Sequence, residues 1–224
     1  MKRVAVLRGG PSAEYSVSLN TGNAVLEALK KLGYPYKDLV ITKKGEWLDG
    51  GFVRQPEQAL NAVDVVFIAL HGTFGEDGQV QRILERKKVP YVGTRALASG
   101  IAFNKELTKR TLMPYDIKMP RHRRVSKMEL DRLEEEVPNI FIEVGNELFV
   151  KPIASGSSVG AKHIPTESAL HAALNELLQE HNDVLVEEYI RGKEATVGVL
   201  DNFRDEQHYT LPVVEIIPPR SAVF

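Results

Sequence analysis

The stretch Val65-Val66-Phe67-Ile68-Ala69-Leu70 is apolar throughout and runs directly into the loop His71-Gly72-Thr73-Phe74-Gly75-Glu76-Asp77-Gly78. A continuous apolar run of this length predicts a strand that is covered on both faces, as in a parallel sheet. Further strands are predicted at 4–7, 36–41 and 89–92, and helices from Ser18 to Gly33 and at 78–87. Alternating strands and helices predict an α/β fold, with a Rossmann-like, doubly wound first domain over residues 1–96.

Two more segments follow this first domain. Residues 97–183 form a second unit, with helices predicted at 104–112, 126–136 and 166–179. Ser126 and Glu129 have the spacing of a capping box. The basic run 121–124 is interpreted as a solvated loop rather than a phosphate or nucleic-acid contact. Strands at 184–189, 195–200 and 211–217 make up a third segment, 184–224.

The bulk composition is that of an ordinary globular protein. The chain has 224 residues, 43% of them hydrophobic and 26% charged, and a formal net charge of −1. This balance gives no electrostatic reason to expect nucleic acid or an anionic membrane as a partner. The sequence has no cysteine, no long apolar run, and an N-terminal apolar stretch too short for a signal peptide, so we expect a cytoplasmic protein without a membrane segment.

The segment Lys151-Pro152-Ile153-Ala154-Ser155-Gly156-Ser157-Ser158-Val159-Gly160 places a lysine and a glycine-serine loop after an apolar strand. Backbone N–H groups and hydroxyls of such a loop can surround an anion, and the lysine adds positive charge. The spacing is not that of a P-loop. Taken alone, such a loop is more often a flexible connection, so the phosphate interpretation depends on other motifs.

Two polar residues follow predicted strands of the first domain. Glu14 lies in the loop after the first strand, and His71 follows the apolar run that ends at Leu70. Ligands of open α/β sheets bind at the carboxyl ends of the strands, so both residues together indicate a ligand crevice. Taken singly, Glu14 could be a helix-dipole contact and His71 an ordinary loop histidine. The G-x-G-x-x-G fingerprint is absent, which disfavours an NAD(P)-dependent oxidoreductase.

A series of short motifs completes the pattern. They are Gly9-Gly10-Pro11-Ser12-Ala13-Glu14 with Val17-Ser18-Leu19, Leu70-His71-Gly72 with Gly75-Glu76-Asp77-Gly78, Tyr91-Val92-Gly93-Thr94, Lys105 with Lys109, Val150-Lys151-Pro152 with the glycine-serine loop, Val186-Glu187, and Gly192-Lys193-Glu194. In this order, and over essentially the whole chain, the sequence resembles the D-alanine–D-alanine ligases of the ATP-grasp superfamily.

The resemblance implies an N-terminal pre-ATP-grasp domain, an ATP-grasp central subdomain and an incomplete C-terminal ATP-grasp subdomain. It implies that ATP phosphorylates the carboxylate of one D-alanine and that a second D-alanine attacks the acyl phosphate. The product is D-alanyl-D-alanine for peptidoglycan synthesis in the cytoplasm. The implied cofactors are ATP and Mg²⁺, with Mn²⁺ as an alternative, and a homodimer is expected.

The implied site residues fall into two groups according to ligand. The D-alanine group includes the two residues expected to be catalytic, Glu14 and Ser157. Glu14 would pair with the substrate ammonium, and Ser157 would link the hydrogen bonds of Glu14 to the reacting carboxylate. Val17 and His71 would line the same pocket. The ATP group consists of Lys105, Lys151, Gly156, Ser157 and Ser158 around the phosphates, and Glu187 and Glu194 at the adenine and ribose. Without the resemblance, the solvated surface is the favoured interpretation for the lysine pair Lys105 and Lys109 and for the acidic pair 187–188.

The chain departs from the family pattern in two respects. Asn104 stands before Lys105, where the family usually has Asp. The covering tyrosine loop and the acidic metal ligands of the family are not found up to Phe224, so no metal ligand is expected within this chain. We therefore expect an N-terminal fragment of a ligase or the product of a truncated gene. A non-catalytic module that binds D-alanine or nucleotide is the competing function, and D-lactate as second substrate stays open.

Overall fold

The computed structural model describes residues 1–217, in which two sheets have separate hydrophobic cores. The expectations for residues 218–224, including those for the last residues up to Phe224, lie outside the described residues. Among the described residues, no helix is long and apolar enough to cross a membrane.

The first sheet contains six strands. They are β1 (Val4–Gly9), β2 (Tyr36–Ile41), β3 (Trp47–Asp49), β4 (Phe52–Arg54), β5 (Val65–Ile68) and β6 (Tyr91–Val92). Their order in the sheet is β4-β3-β2-β1-β5-β6. β2, β1, β5 and β6 are mutually parallel, which confirms the predicted α/β arrangement. The central strands β1 and β5 are largely apolar and buried or partly buried, as expected for parallel strands packed against helices.

The hairpin of β3 and β4 was not predicted. It extends the sheet antiparallel to β2. Its two-residue turn is Gly50-Gly51, and both glycines have positive φ, of 58° and 84°. A Gly-Gly pair between short apolar runs is a recognised hairpin signal, so the sequence did contain this information.

Three helices accompany the first sheet: α1 (Tyr15–Lys31), α2 (Pro56–Ala59) and α3 (Gln79–Lys87). α1 begins at Tyr15, earlier than the predicted Ser18, and ends just before Gly33 as expected. The core beneath them contains the single tryptophan, Trp47, which is 3% exposed. Ala5, Leu7, Leu39, Ile41, Val66, Leu70, Val80 and Leu84 are among the side chains that form this core with it.

Two helices in succession, α4 (Ala96–Phe103) and α5 (Lys105–Leu112), follow β6 in the chain. α4 was not predicted. Asn104 lies between the two helices, and its side-chain oxygen accepts a hydrogen bond from the Leu107 backbone N–H at 3.0 Å. Asn and Asp are about equally good at this capping position, so the departure from the family's usual Asp leaves the start of α5 intact.

The second sheet has four antiparallel strands in the order β7-β10-β8-β9. These are β7 (His122–Ser126), β8 (Leu148–Pro152), β9 (Lys162–Ile164) and β10 (Asp183–Glu188). Helices α6 (Leu133–Val144) and α7 (Glu167–Glu180) pack on one face and enclose the second core. The Ser126–Glu129 capping box is confirmed, and it opens a 3-10 turn, Lys127–Arg132, that leads into α6.

The interpretation of residues 121–124 as a solvated loop is wrong. Most of this run lies in β7, which gains a partner because β10 lies beside it. Arg123 ion-pairs with Glu136 and Glu129, which explains how a basic run fits into a sheet. Composition could not show this pairing because its acidic partners come from later in the chain.

The third segment consists of β11 (Glu194–Thr196), β12 (Val199–Phe203), β13 (Glu206–Thr210) and β14 (Val214–Ile216), in two separate pairs. The predicted strand at 195–200 is thus two strands, and β13 was missed. Apolar side chains of this segment, such as Val199, Val214 and Ile216, are exposed. The apolar side chains of β10 are buried, because β10 is a central strand of the second sheet. The domain boundaries stay predictions, and we propose that the third segment begins after Glu188.

Candidate functional site

The loops after β1 and β5 are tied together at the carboxyl edge of the first sheet. The Ser12 hydroxyl donates to the His71 carbonyl oxygen at 2.7 Å, and the Glu14 backbone N–H donates to Ser12 Oγ at 3.2 Å. Because parallel strands end at the same edge, two loops far apart in sequence meet here. The loops that carry Glu14 and His71 therefore meet at one edge of the sheet, and their joint role in a ligand crevice stays a prediction.

Ser18 supports this pair of loops from below. It is fully buried, its hydroxyl donates to the Ala69 carbonyl oxygen at 2.7 Å, and the Gly9 backbone N–H donates to it at 2.8 Å. One hydroxyl thus satisfies a backbone donor at the end of β1 and an acceptor just after β5. The sequence analysis gave Ser18 no role of its own, although a serine on the inner face of α1 is a signal for such a bridge.

His71 is oriented by a residue that sequence reasoning missed, Thr21 on α1. The two side chains meet at 2.8 Å, between His71 Nε2 and Thr21 Oγ1. Thr21 Oγ1 donates to the Val17 carbonyl oxygen, so we assign the proton to His71 Nε2. The other ring nitrogen, Nδ1, lies 3.7 Å from Glu76 Oε1. Val17 itself is half exposed, at 51%, and its place in the substrate pocket stays a prediction.

The glycine-serine loop reaches across to the first domain. Ser157 Oγ donates to Glu14 Oε1 at 2.8 Å, joining the two units through the residues expected to be catalytic. Gly72 has φ of 68°, and a Cβ there would lie 2.7 Å from Glu14 Oε2. Any larger residue at position 72 would therefore push against the Glu14 carboxylate.

Backbone conformation shapes the loop between β8 and β9. Ser157 and Ser158 both have positive φ, of 52° and 56°, which is uncommon for residues other than glycine. The turn closes by backbone hydrogen bonds from Val159 N–H to Gly156 and from Ala161 N–H to Ser158. Strained residues of this kind cluster at ligand-binding loops, which agrees with the predicted role of this segment.

Lys105, at the start of α5, is directed at the base of this loop. Its Nζ donates to the carbonyl oxygens of Ser155 at 2.7 Å and Pro152 at 3.1 Å. Burial lowers the pKa of the Lys105 ammonium, and repulsion from Lys151 lowers it further. The two predicted phosphate-binding lysines are thus close enough to repel, an arrangement that favours an anion between them.

Glu187 on β10 is shared between two lysines. It is only 5% exposed, its Oε1 lies 2.7 Å from Lys109 Nζ, and its Oε2 ion-pairs with Lys151. Burial alone would raise the pKa of the Glu187 carboxyl, but the hydrogen bonds from both lysines bring it below its ordinary value. The alternative that Glu187 is a surface residue is therefore wrong.

Beside Glu187 lies a small cavity of about 170 Å³ at the end of the second sheet. Its lining side chains are of two kinds, apolar or aromatic and acidic. They are Pro120, Phe149, Glu187, Glu188, Tyr189, Ile190 and Glu194. The rings of Phe149 and Tyr189 are stacked, with centroids 6.2 Å apart. The predicted adenine and ribose residues, Glu187 and Glu194, both line this cavity, and sequence reasoning missed Phe149 and Tyr189.

The described residues offer no cluster for a metal ion. Among residues 1–217, no group of three or more His, Asp or Glu side chains is arranged to hold one. We therefore place no metal in the geometry described above.

Family models match two parts of the chain. The model described as "D-ala D-ala ligase C-terminus" matches residues 112–224, and the one described as "D-ala D-ala ligase N-terminus" matches residues 50–94. The two matches follow the same order as the two sheets of the fold.

Individual relatives agree with the family models. The D-alanine–D-alanine ligase of Syntrophotalea carbinolica is 37% identical over 217 residues, which cover 97% of this chain and 64% of that protein. The D-alanine–D-alanine ligase of Aquifex aeolicus is 39% identical, with 97% of this chain and 67% of that protein covered. The chain thus spans about two thirds of the length of these curated relatives.

Solved structures show the same fold. The D-alanine-D-alanine ligase from Coxiella burnetii superposes with a TM-score of 0.83 at 26% identity, covering 97% of this chain and 71% of that one. The VanG D-Ala:D-Ser ligase from Enterococcus faecalis superposes with a TM-score of 0.78 at 30% identity, covering 96% of this chain and 69% of that one. By its sequence matches and its fold, the chain belongs to the D-alanine–D-alanine ligase family.

Proposed function

We propose that this chain carries the amino-acid and nucleotide sites of an ATP-dependent ligase that joins two D-alanines into D-alanyl-D-alanine for peptidoglycan synthesis. The observation that carries this proposal is the hydrogen bond from Ser157 Oγ to Glu14 Oε1 at 2.8 Å. It links the loop of the candidate nucleotide site to the candidate amino-acid crevice. A reaction between a phosphoryl donor and an amino-acid carboxylate needs these two sites side by side.

The fold assignments follow from this proposal. Residues 1–96 are assigned as the pre-ATP-grasp domain, the second sheet with α6 and α7 as the ATP-grasp central subdomain, and the strands from β11 onward as the start of the C-terminal ATP-grasp subdomain. The candidate nucleotide site lies between the second sheet and this last segment.

The lysine cluster at the base of the glycine-serine loop fits a polyphosphate. Among the four side chains Lys105, Lys109, Lys151 and Glu187, the three ammonium groups exceed the one carboxylate by two positive charges. Such preorganised charge stabilises the negative charge of phosphate groups in a partly buried site. The carboxylate of Glu14, hydrogen-bonded to Ser157, is assigned to the amino-acid site instead. Lys105 and Lys151 would contact the phosphates, with Gly156, Ser157 and Ser158 closing over them.

The cavity beside Glu187 fits a purine and its ribose. Stacked aromatic rings offer a flat apolar surface, while Glu187 and Glu194 provide acceptors for amino and hydroxyl donors. When ATP is bound, it supplies the phosphoryl group that turns a carboxylate oxygen into a good leaving group. The chain's own residues hold that carboxylate in place.

At the amino-acid crevice, Glu14 would pair with the ammonium of the first D-alanine. Its carboxylate is fixed by Ser157, and Gly72 leaves room for it. His71, oriented by Thr21, and Val17 would form the walls of the pocket. Mg²⁺ or Mn²⁺ belongs to the proposal as a family property. Residues 1–217 contain no cluster of His, Asp or Glu side chains that fits such an ion, so the roles given above belong to the side chains alone. A cytoplasmic homodimer is likewise part of the proposal.

Phosphate release from Mg-ATP by residues 1–224, with and without D-alanine, tests the function. We expect release that depends on D-alanine and falls strongly when Glu14 is changed to Gln. ATP binding without such release would favour the competing function, a non-catalytic module that binds nucleotide or D-alanine. Release that is unaffected by D-alanine would contradict both.

A further inference from the structure

Lys109 on α5 is a buried lysine to which the family resemblance assigns no role. It is 7% exposed, and its Nζ contacts Glu187 Oε1 at 2.7 Å and donates to the Pro120 carbonyl oxygen at 3.2 Å. Lysine is almost never buried this fully unless it is paired. Because its ammonium is directed at protein groups, Lys109 acts on a ligand only through its neighbours.

The neighbour that matters is Glu187. Its two oxygens are divided, one to Lys109 and one to Lys151. If Lys109 were neutral, Glu187 and Lys151 would form a one-to-one ion pair, and the charge of Lys151 would be compensated within the protein. With Lys109 present, the positive charge of Lys151 is not cancelled and is available for an anion next to it.

The geometry of α5 places Lys109 on the same side of the helix as Lys105. Lys105 and Lys109 are one turn apart on α5, so they project from the same face. Lys105 reaches the base of the glycine-serine loop, whereas Lys109 reaches the carboxylate behind Lys151. One short helix, whose N-terminus is capped by Asn104, thus carries both the lysine that contacts the loop and the lysine that contacts Glu187.

We propose that Lys109 is a positioning residue for the nucleotide, which by neutralising Glu187 leaves the charge of Lys151 available to the phosphate groups of ATP. This inference depends on the nucleotide site of the proposed function. Lys109 therefore governs the affinity of the site for the phosphate groups of ATP and not its affinity for the base. A role through Pro120, which lines the purine cavity, would instead change affinity for the base.

The test compares dissociation constants of ATP and adenosine by titration calorimetry on residues 1–224, without D-alanine. Lys109→Met keeps the aliphatic stem and removes the charge, and we expect it to weaken ATP about tenfold while adenosine is unchanged, a difference of about 1.4 kcal/mol. Lys109→Arg should retain the wild-type ratio of the two constants. Lys118→Met, at an exposed position after α5, is the matched control.

A double variant separates charge from packing. Lys109→Met with Glu187→Gln removes one positive and one negative charge, so the cluster again has two positive charges in excess. We expect the double variant to recover most of the ATP-to-adenosine ratio lost in Lys109→Met. Packing lost at position 109 persists in the double variant, so recovery of the ratio reports the charge. The double variant also avoids leaving the buried Glu187 carboxylate with a single partner, which keeps the test available if Lys109→Met folds poorly.

Three outcomes would overturn the inference. In the first, Lys109→Met keeps the wild-type ratio, which refutes the role of Lys109 and leaves the proposed function standing. In the second, ATP and adenosine weaken equally, which indicates support of the cavity wall instead. In the third, the wild-type chain binds neither ligand, which refutes the nucleotide site as well. D-alanine-dependent phosphate release is measured separately, so failure of the ligase function is distinguished from failure of this inference.

Discussion

Replacing Ser18 by Ala removes one hydroxyl that serves two buried backbone groups. The Gly9 N–H and the Ala69 carbonyl oxygen would both lose their partner, at 2.8 Å and 2.7 Å respectively. Each buried polar group left unpaired costs about 1–3 kcal/mol, so we expect a loss of at least about 2 kcal/mol in the free energy of unfolding. With a urea m-value of about 2 kcal/mol/M, the midpoint should fall by about 1 M.

Tryptophan fluorescence is the assay because it reports on the domain that contains Ser18. Trp47 is the only tryptophan and lies in the first core. Ser16→Ala is the matched control, since it makes the same change on the exposed side of the same helix. We expect the control to remain within about 0.5 kcal/mol of wild type. If Ser18→Ala shifts the midpoint no more than Ser16→Ala does, the bridging role of the Ser18 hydroxyl is wrong.

Three further predictions concern the candidate site. Glu14→Gln should raise the D-alanine concentration for half-maximal phosphate release about fivefold, because this half-exposed carboxylate is expected to pair with an ammonium; an unaltered value would refute the anchor role. Lys151→Ala should weaken ATP by about 1.5–3 kcal/mol in titration calorimetry, and unchanged affinity would remove Lys151 from the site. The third prediction is a pH dependence. Lys109 and Lys151 hold the pKa of the Glu187 carboxyl in the folded protein below its ordinary value of 4.5. The ionised carboxylate therefore stabilises the fold above pH 4.5, and this stabilisation is lost as the pH falls through the folded-state pKa. Glu187→Gln should therefore have a shallower acid dependence of urea unfolding than wild type, and equal slopes would contradict the pairing.

Much of the first domain could be predicted from sequence because its signals are local. Apolar runs mark β1, β2 and β5, and glycine marks the end of α1. The prediction failed where an element depends on a distant partner. β7 is a strand because β10 lies beside it, and Arg124 of β7 pairs with Asp183 of β10, 59 positions later in the chain. No window of local sequence contains that information.

The candidate site divides in the same way. Glu14, His71 and the glycine-serine loop could be proposed from the sequence because their residue types and their positions after strands are informative. Thr21 and Lys109 were not given roles, since each works through a contact made across the fold. A threonine on a helix and a lysine one turn after another lysine are common on any surface. Only the burial of Lys109 distinguishes it from a solvated residue.

The hydrogen bond between Ser157 and Glu14 joins residues that are 143 positions apart, and each belongs to a unit with its own core. Either core can pack while this contact is still unmade. Domains fold as units, the N-terminal one first during synthesis, and contacts of long sequence separation are slow to form. Chain collapse and completion of the candidate site are therefore separate events. A preparation can be compact, protease-resistant and cooperative in its unfolding while a fraction of its molecules lacks the contact between Ser157 and Glu14.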